Sequence, residues 1–233
     1  MKRIASVIVM QARDWRTWLL GSWIVLGATF VICLLIALSI DVLWRGSIPV
    51  YGGAVPCLAV VMLAVAIGTV GGTFPFAVGF GIRRSDYLLG TLAWSVAYCA
   101  SWAILLGLLS LIEASVIKNW GVGLHFFHLP ILSDGSPLRQ LWVSFVLLLF
   151  MYLLGLLLGS IYQRFGCTGE FFFFGIVFLL LNVFVLLSSY WQWWATISGW
   201  LVQQTAAALG VWLVPVMAIF ALASYALLRK ATV

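Results

Sequence analysis

The 233-residue chain is 65% hydrophobic and only 8% charged, with a mean hydropathy of +1.19; soluble domains are roughly 45–50% apolar and about 25% charged, so a water-solvated globular domain is excluded. Its formal charge of +6 comes from 12 Lys and Arg against 6 Asp and Glu, and in so apolar a chain reads as a topology signal and not as a nucleic-acid footprint. No polar stretch is long enough to build a separate soluble domain, so residues 1–233 are expected to form a single transmembrane domain.

The chain opens with MKRIASVIVMQARDWRTW, whose short apolar part is followed by Arg13, Asp14 and Arg16, unlike a cleavable signal. Ile4, Val7, Ile8, Gln11, Ala12, Trp15 and Trp18 fall on one helical face, and Lys2, Arg3, Ser6, Arg13, Arg16 and Thr17 on the other. Residues 1–17 are therefore predicted to form an amphipathic helix lying on an anionic inner leaflet. Six stretches then reach the roughly 20 mostly apolar residues that a membrane-crossing helix needs. They cover about 18–40, 53–70, 88–111, 141–161, 171–189 and 207–228. Unbroken runs such as VSFVLLLFMYLLGLLLG lack the period-2 alternation of a membrane β-barrel. The expected fold is an all-α polytopic membrane protein with six transmembrane helices.

Six spans put both termini on one side. Lys2, Arg3, Arg13, Arg16, Arg83, Arg84, Arg164, Arg229 and Lys230 then share that side, against Arg45, Lys118 and Arg139 on the other. Nine against three makes both termini cytoplasmic.

Between the second and third spans lies FPFAVGFGIRRSDYLLG, Phe74–Gly90. Residues 73–87 are predicted to be a cytoplasmic loop. The second span would end near Gly71–Gly72, and Pro75 would open a short new helix. Phe76, Val78 and Phe80 are too apolar for a free loop, while Gly79 and Gly81 permit a sharp exit. Ser85 is a candidate cap for the third span, and Asp86 suits its first turn. The plain reading is an interfacial turn with topology-setting arginines; the sharper one is an apolar knob that docks a cytoplasmic partner.

Farther along, Asp41 and Glu113 stand at outer span ends, away from the midplane where a proton relay would need them. His125 and His128 lie i, i+3 in the outer loop from Lys118 to Arg139; with only Asp134 nearby, two interfacial histidines explain them better than a metal site. Gly68–Gly72 and Gly155–Gly159 allow close helix approach, and intrachain packing and dimerisation both fit. Cys33, Cys57, Cys99 and Cys167 form no CxxC or CxxH pattern. Asn182, Gln203 and Gln204 are the polar candidates for a solute path. Trp191, Trp193, Trp194 and Trp200 belong to an outer aromatic belt, and Ser189–Thr205 is dense enough for a short helix dipping into the outer leaflet. None of Lys2, Lys118 and Lys230 follows a glycine-rich phosphate loop, so ATP hydrolysis would have to come from another chain.

The stretch FPFAVGFGIRRSDYLLGTL resembles the first cytoplasmic loop of the permease subunits of type-2 family ABC transporters, which are six-span and exporter-like. Pro75, Gly81, Arg83, Arg84, Tyr87 and Gly90 fill that loop's pattern, and the N-terminal helix, six spans and inside termini extend the likeness over almost the whole chain. The resemblance implies that residues 1–17 act as a connecting helix. It also makes Phe74, Pro75, Phe76, Gly79, Phe80, Gly81, Arg83, Arg84, Asp86 and Tyr87 a coupling element seated in a groove of an ATPase subunit. Two ATPase subunits carrying ATP and Mg would pair with two permease chains, identical or homologous. The complex would sit in a bacterial plasma membrane and export a lipid, drug, antibiotic or membrane-active peptide. No catalytic residue, metal or cofactor is expected in this chain, and membrane lipids, not nucleic acid, are its other contacts. A membrane scaffold without a transport path would share many of these features. An intramembrane enzyme lacks a histidine, carboxylate or thiol constellation within the spans.

Overall fold

The computed structural model describes residues 2–13, 15–44, 50–117, 120, 123–127 and 136–229. Asp14, Arg45, Lys118, His128, Asp134 and Lys230, which entered the readings above, lie outside these residues. The described chain is all-α apart from two strands of two residues each. In order it forms α1 (Lys2–Arg13), α2 (Trp15–Trp44), β1 (Val50–Tyr51), α3 (Ala54–Gly79) and α4 (Arg84–Ile112). A π-helical turn (Glu113–Ile117), β2 (Leu124–His125), α5 (Pro137–Tyr190), α6 (Trp194–Gln203) and α7 (Ala206–Arg229) follow. Among the described residues, five helices are long and apolar enough to cross a membrane.

The expected fourth and fifth spans share the 54 residues of α5, whose helical backbone breaks at Gly166 (φ 67°, ψ −164°). That conformation is open essentially to glycine alone. The chain folds back there. Leu157 and Ile176 line one cavity, although a straight helix would hold them roughly 28 Å apart. The return is tight, because a Cβ on Gly169 would collide with the Phe165 side chain. Residues 137–165 make the first arm and 167–190 the second.

Side-chain pairs set the direction of each helix. Gly155 of the first arm meets Leu63 and Ala66 of α3, and Gly159 meets Ile67 and Val70, so α3 and this arm run parallel. The small residues at 155 and 159 thus serve packing within the chain, allowing backbones to approach closely. Gly210 of α7 lies against Trp142, Phe220 against Phe150 and Met217 against Val146 and Leu153, so α7 is parallel to the same arm. α4 runs the other way. Tyr87 near its start packs on Phe74 near the end of α3, and Ser110 near its end donates to Gln140 Oε1 near the start of α5 (3.1 Å). Arg83, Arg84 and Arg229 consequently gather at one end of the bundle, the arginine end, and Glu113 lies at the other, the glutamate end.

α1 turns Val7 and Gln11 inward, both buried, and Gln11 Nε2 donates to Thr91 Oγ1 of α4 (2.9 Å). Two of the seven stripe positions are therefore turned toward protein, with Gln11 matched by a polar partner. α2 packs through Trp18 on Gly68 and through Ser22, whose hydroxyl lies 3.2 Å from that of Tyr98. Beyond Phe30 many of its apolar residues, among them Ile32, Leu35 and Val42, are exposed, while Ala37 is buried. The second arm of α5 is exposed along almost its whole length.

Candidate functional site

At the arginine end, the predicted loop 73–87 is mostly helix, which corrects the expectation of a separate short helix starting at Pro75. α3 runs through Pro75 to Gly79. A proline inside a helix removes the N–H that would bond the carbonyl four residues earlier, here that of Gly71. Gln163 Nε2, from the first arm of α5, donates to that carbonyl at 3.2 Å. The proline is accommodated because a neighbouring helix supplies the missing donor.

The chain then turns within four residues. Ile82 N–H bonds Ala77 O (3.1 Å), Gly81 N–H bonds Val78 O (2.9 Å), and Gly81 has φ +75°. This is the Schellman helix stop, which needs a left-handed residue just after the helix. α4 begins at once, with Arg83 in extended conformation as its N-cap and no side-chain cap bond. Ser85, expected as the cap, is instead the second residue of the helix, while Asp86 lies in the first turn as expected.

The ten residues assigned to coupling divide into two sets. Phe74 and Tyr87 are fully buried, with rings 5.3 Å apart and the Tyr87 hydroxyl 2.8 Å from Thr73 Oγ1. They hold α3 and α4 together and offer no surface. Arg84 Nη1 donates to the carbonyls of Leu228 (3.3 Å) and Arg229 (3.0 Å), capping the last turn of α7. Pro75 and Asp86 are half-buried, and Gly79, Gly81 and Arg83 exposed. Phe76 and Phe80 point outward, 57% and 71% exposed, as a T-shaped pair with centroids 4.5 Å apart. The surface that remains is this aromatic pair with Arg83 beside it.

At the opposite end, Glu113 anchors a structure that the sequence reading missed. Its carboxylate is fully buried and accepts from Trp120 Nε1 (2.9 Å), Phe126 N–H (2.7 Å) and Phe127 N–H (2.6 Å). Hydrogen bonds to an ionised acceptor are the strong ones. Gln140 Nε2 holds the Phe127 carbonyl (3.1 Å), tying the same segment to α5. β1 and β2 pair in parallel, Val50 with Leu124 and Tyr51 with His125. His125 stacks on Tyr51 at 5.4 Å. Gly52 is required there, since a Cβ would fall 2.8 Å from the Phe126 backbone. The π-helical turn that carries Glu113 was the one signal present, and such turns cluster at functional sites, but nothing in the residue order announces it.

The polar candidates for a solute path are not brought together. Asn182 Nδ2 donates to Phe178 O of its own helix (2.8 Å) and is exposed; Gln203 ends α6, and Gln204 follows it in extended backbone. Trp191, Trp193, Trp194 and Trp200 are all exposed, with Trp191 and Trp193 stacked at 4.9 Å and Trp194 Nε1 bonded to Ser189 Oγ (3.0 Å). The short helix expected within Ser189–Thr205 is α6. A cavity of about 640 Å³ opens between the arms of α5 and α7, walled by apolar side chains including Leu157, Phe172, Ile176 and Leu227. Among the described residues no three His, Cys, Asp or Glu side chains cluster to hold a metal. No known protein family, curated protein or solved structure matches the chain.

Proposed function

We propose that the chain is the permease subunit of an ATP-driven exporter, similar to the type-2 family of ABC permeases, working with a separate ATPase and a second permease chain. It crosses the plasma membrane six times, with the arginine end and both termini in the cytoplasm. α2, α3, α4, the two arms of α5, and α7 are the six crossings. The fold-back at Gly166 supports two crossings in α5, whose 54 residues would extend roughly 80 Å if straight, against about 30 Å of hydrocarbon. The exposed lengths of α2 and of the second arm suit a second permease chain and lipid.

The observation that carries the reading is the exposed Phe76–Phe80 pair, held out by the Schellman turn beside Arg83. An aromatic anchor rimmed by a cation is the usual make-up of an interface hot spot. The apolar cavity beside the Gly166 turn suits a hydrophobic or amphipathic solute. The test is affinity purification of the tagged chain from its native membrane in mild detergent, with mass spectrometry of what accompanies it. A stoichiometric ATPase is expected with the unaltered chain, and its loss from Phe76→Ser with Phe80→Ser, the chain itself still inserting. An intact membrane preparation that yields no ATPase would favour the scaffold reading.

A further inference from the structure

The arginine end holds a second feature, which shares only Arg83 with the docking surface. The N-cap Arg83, with Arg84 and Ser85 of α4 and Tyr225 and Arg229 of α7, lines a cleft of about 300 Å³. Three guanidinium groups thus border one small space. Among the described residues no carboxylate forms an ion pair with any of them. Arg84 is partly engaged, since one nitrogen donates to the α7 carbonyls, but a guanidinium carries five N–H donors. Arg83 and Arg229 are exposed at the rim. Like charges that line one cleft repel, and an anion shared among them lowers that repulsion.

The kind of anion follows from the donors and from the walls. Guanidinium forks match the tetrahedral oxygens of a phosphate and bind it in pairs of N–H···O bonds, and the Tyr225 and Ser85 hydroxyls add neutral donors. The cleft volume is that of on the order of ten water-sized groups, enough for a phosphate ester and the start of its alcohol. One turn farther along each helix, away from the arginines, stand Leu89 and Leu222, both exposed, at 53% and 68%. A charged pocket that opens onto two apolar helix faces suits an amphiphile better than a free ion.

We infer that the cleft between α4 and α7 binds the phosphate of an anionic phospholipid, through Arg83, Arg84 and Arg229, with the acyl chains running past Leu89 and Leu222. The inference rests on the membrane-spanning part of the reading above, and not on an ATPase. Its test uses the purified full-length chain alone in a neutral detergent, so the absence of an ATPase partner would not affect it.

The experiment measures binding of dihexanoyl phosphatidylglycerol, dihexanoyl phosphatidylcholine and inorganic phosphate by native mass spectrometry. It compares the unaltered chain with Arg83→Gln, Arg229→Gln and the double variant. Arg84 is left in place because it caps α7. Phosphatidylglycerol should bind saturably and displace phosphatidylcholine, and the double variant should bind it at least about 10-fold more weakly, as expected for losing charge-assisted hydrogen bonds. Unchanged helical circular dichroism and a monodisperse elution peak show that the variants fold. Equal binding by the folded double variant, or no preference for the anionic lipid, overturns the inference. Inorganic phosphate binding as tightly as the lipid overturns the lipid assignment and makes the free anion the ligand.

Discussion

Glu113 is the residue on which one end of the molecule depends. Its two oxygens serve an indole N–H and two backbone N–H groups, so Trp120 and the Phe126–Phe127 pair converge on one side chain. Glu113→Gln keeps the shape but replaces one acceptor oxygen with an amide that faces other donors. The variant is expected to lose roughly 1–3 kcal/mol, read as a lower thermal midpoint in detergent with normal helical content at low temperature. An unchanged midpoint would mean that the carboxylate does not hold this segment. None of this was legible in the sequence. Glu113 stands at a span end, where carboxylates are ordinary, and two of its three partners are main-chain groups that any residue type supplies. The same limit applied to Arg84, whose acceptors lie 144 and 145 positions away in α7. Phe76 and Phe80 were legible, because two aromatic side chains beside arginines are out of place in water unless something covers them.

Among the elements, α3 and the first arm of α5 form the tightest contact. Gly155 lets the α3 backbone come so near that an added Cβ would collide with the Leu63 carbonyl, an atom that cannot rotate aside. Gly72, in the other small-residue pattern, has open space where its Cβ would be. Gly155→Ala should therefore destabilise the bundle by roughly 1–3 kcal/mol through overpacking, whereas Gly72→Ala should be neutral or slightly stabilising through better helix propensity. Thermal unfolding of the two variants in one detergent checks the contrast, and equal effects would refute it. The glycine spacing was visible in the sequence, but which helix it would meet was not. Apolar runs revealed the helices to within a few residues, since a backbone in hydrocarbon must satisfy its own hydrogen bonds. They misled at Pro75, because the donor that lets the helix continue there comes from Gln163, in another helix.

At the scale of the whole molecule, the orientation can be checked with thiols already in place. Cys167 is free and exposed beside the Gly166 turn, whereas Leu138 is 78% exposed near the start of the first arm of α5. About 29 helical residues separate them, roughly 43 Å, more than the thickness of the hydrocarbon core. In a chain whose Cys33, Cys57 and Cys99 are replaced by Ala, a membrane-impermeant maleimide added to intact cells should leave Cys167 unlabelled until the cells are opened. With Cys167 also removed, Leu138→Cys should label at once. The reverse pattern would invert the orientation. The orientation under test is the one expected from charge asymmetry, which depends on counts of Lys and Arg and not on which residues touch.

The break in the α3 ladder at Pro75 has a mechanical meaning. The helix runs from Ala54 to Gly79 but lacks one backbone hydrogen bond at the Gly71 carbonyl, four residues before the proline and five before Phe76. Whatever pushes on the Phe76–Phe80 pair acts on the short arm of a lever whose hinge is weakened, since one of the backbone bonds across that turn is already absent. Gln163 is the latch across the hinge, and it belongs to the helix packed most closely against the long arm. A tilt of the aromatic pair is therefore felt in the first arm of α5 through the Gln163 side chain, which bonds the Val70 and Gly71 carbonyls, and in α4 through the Phe74–Tyr87 contact.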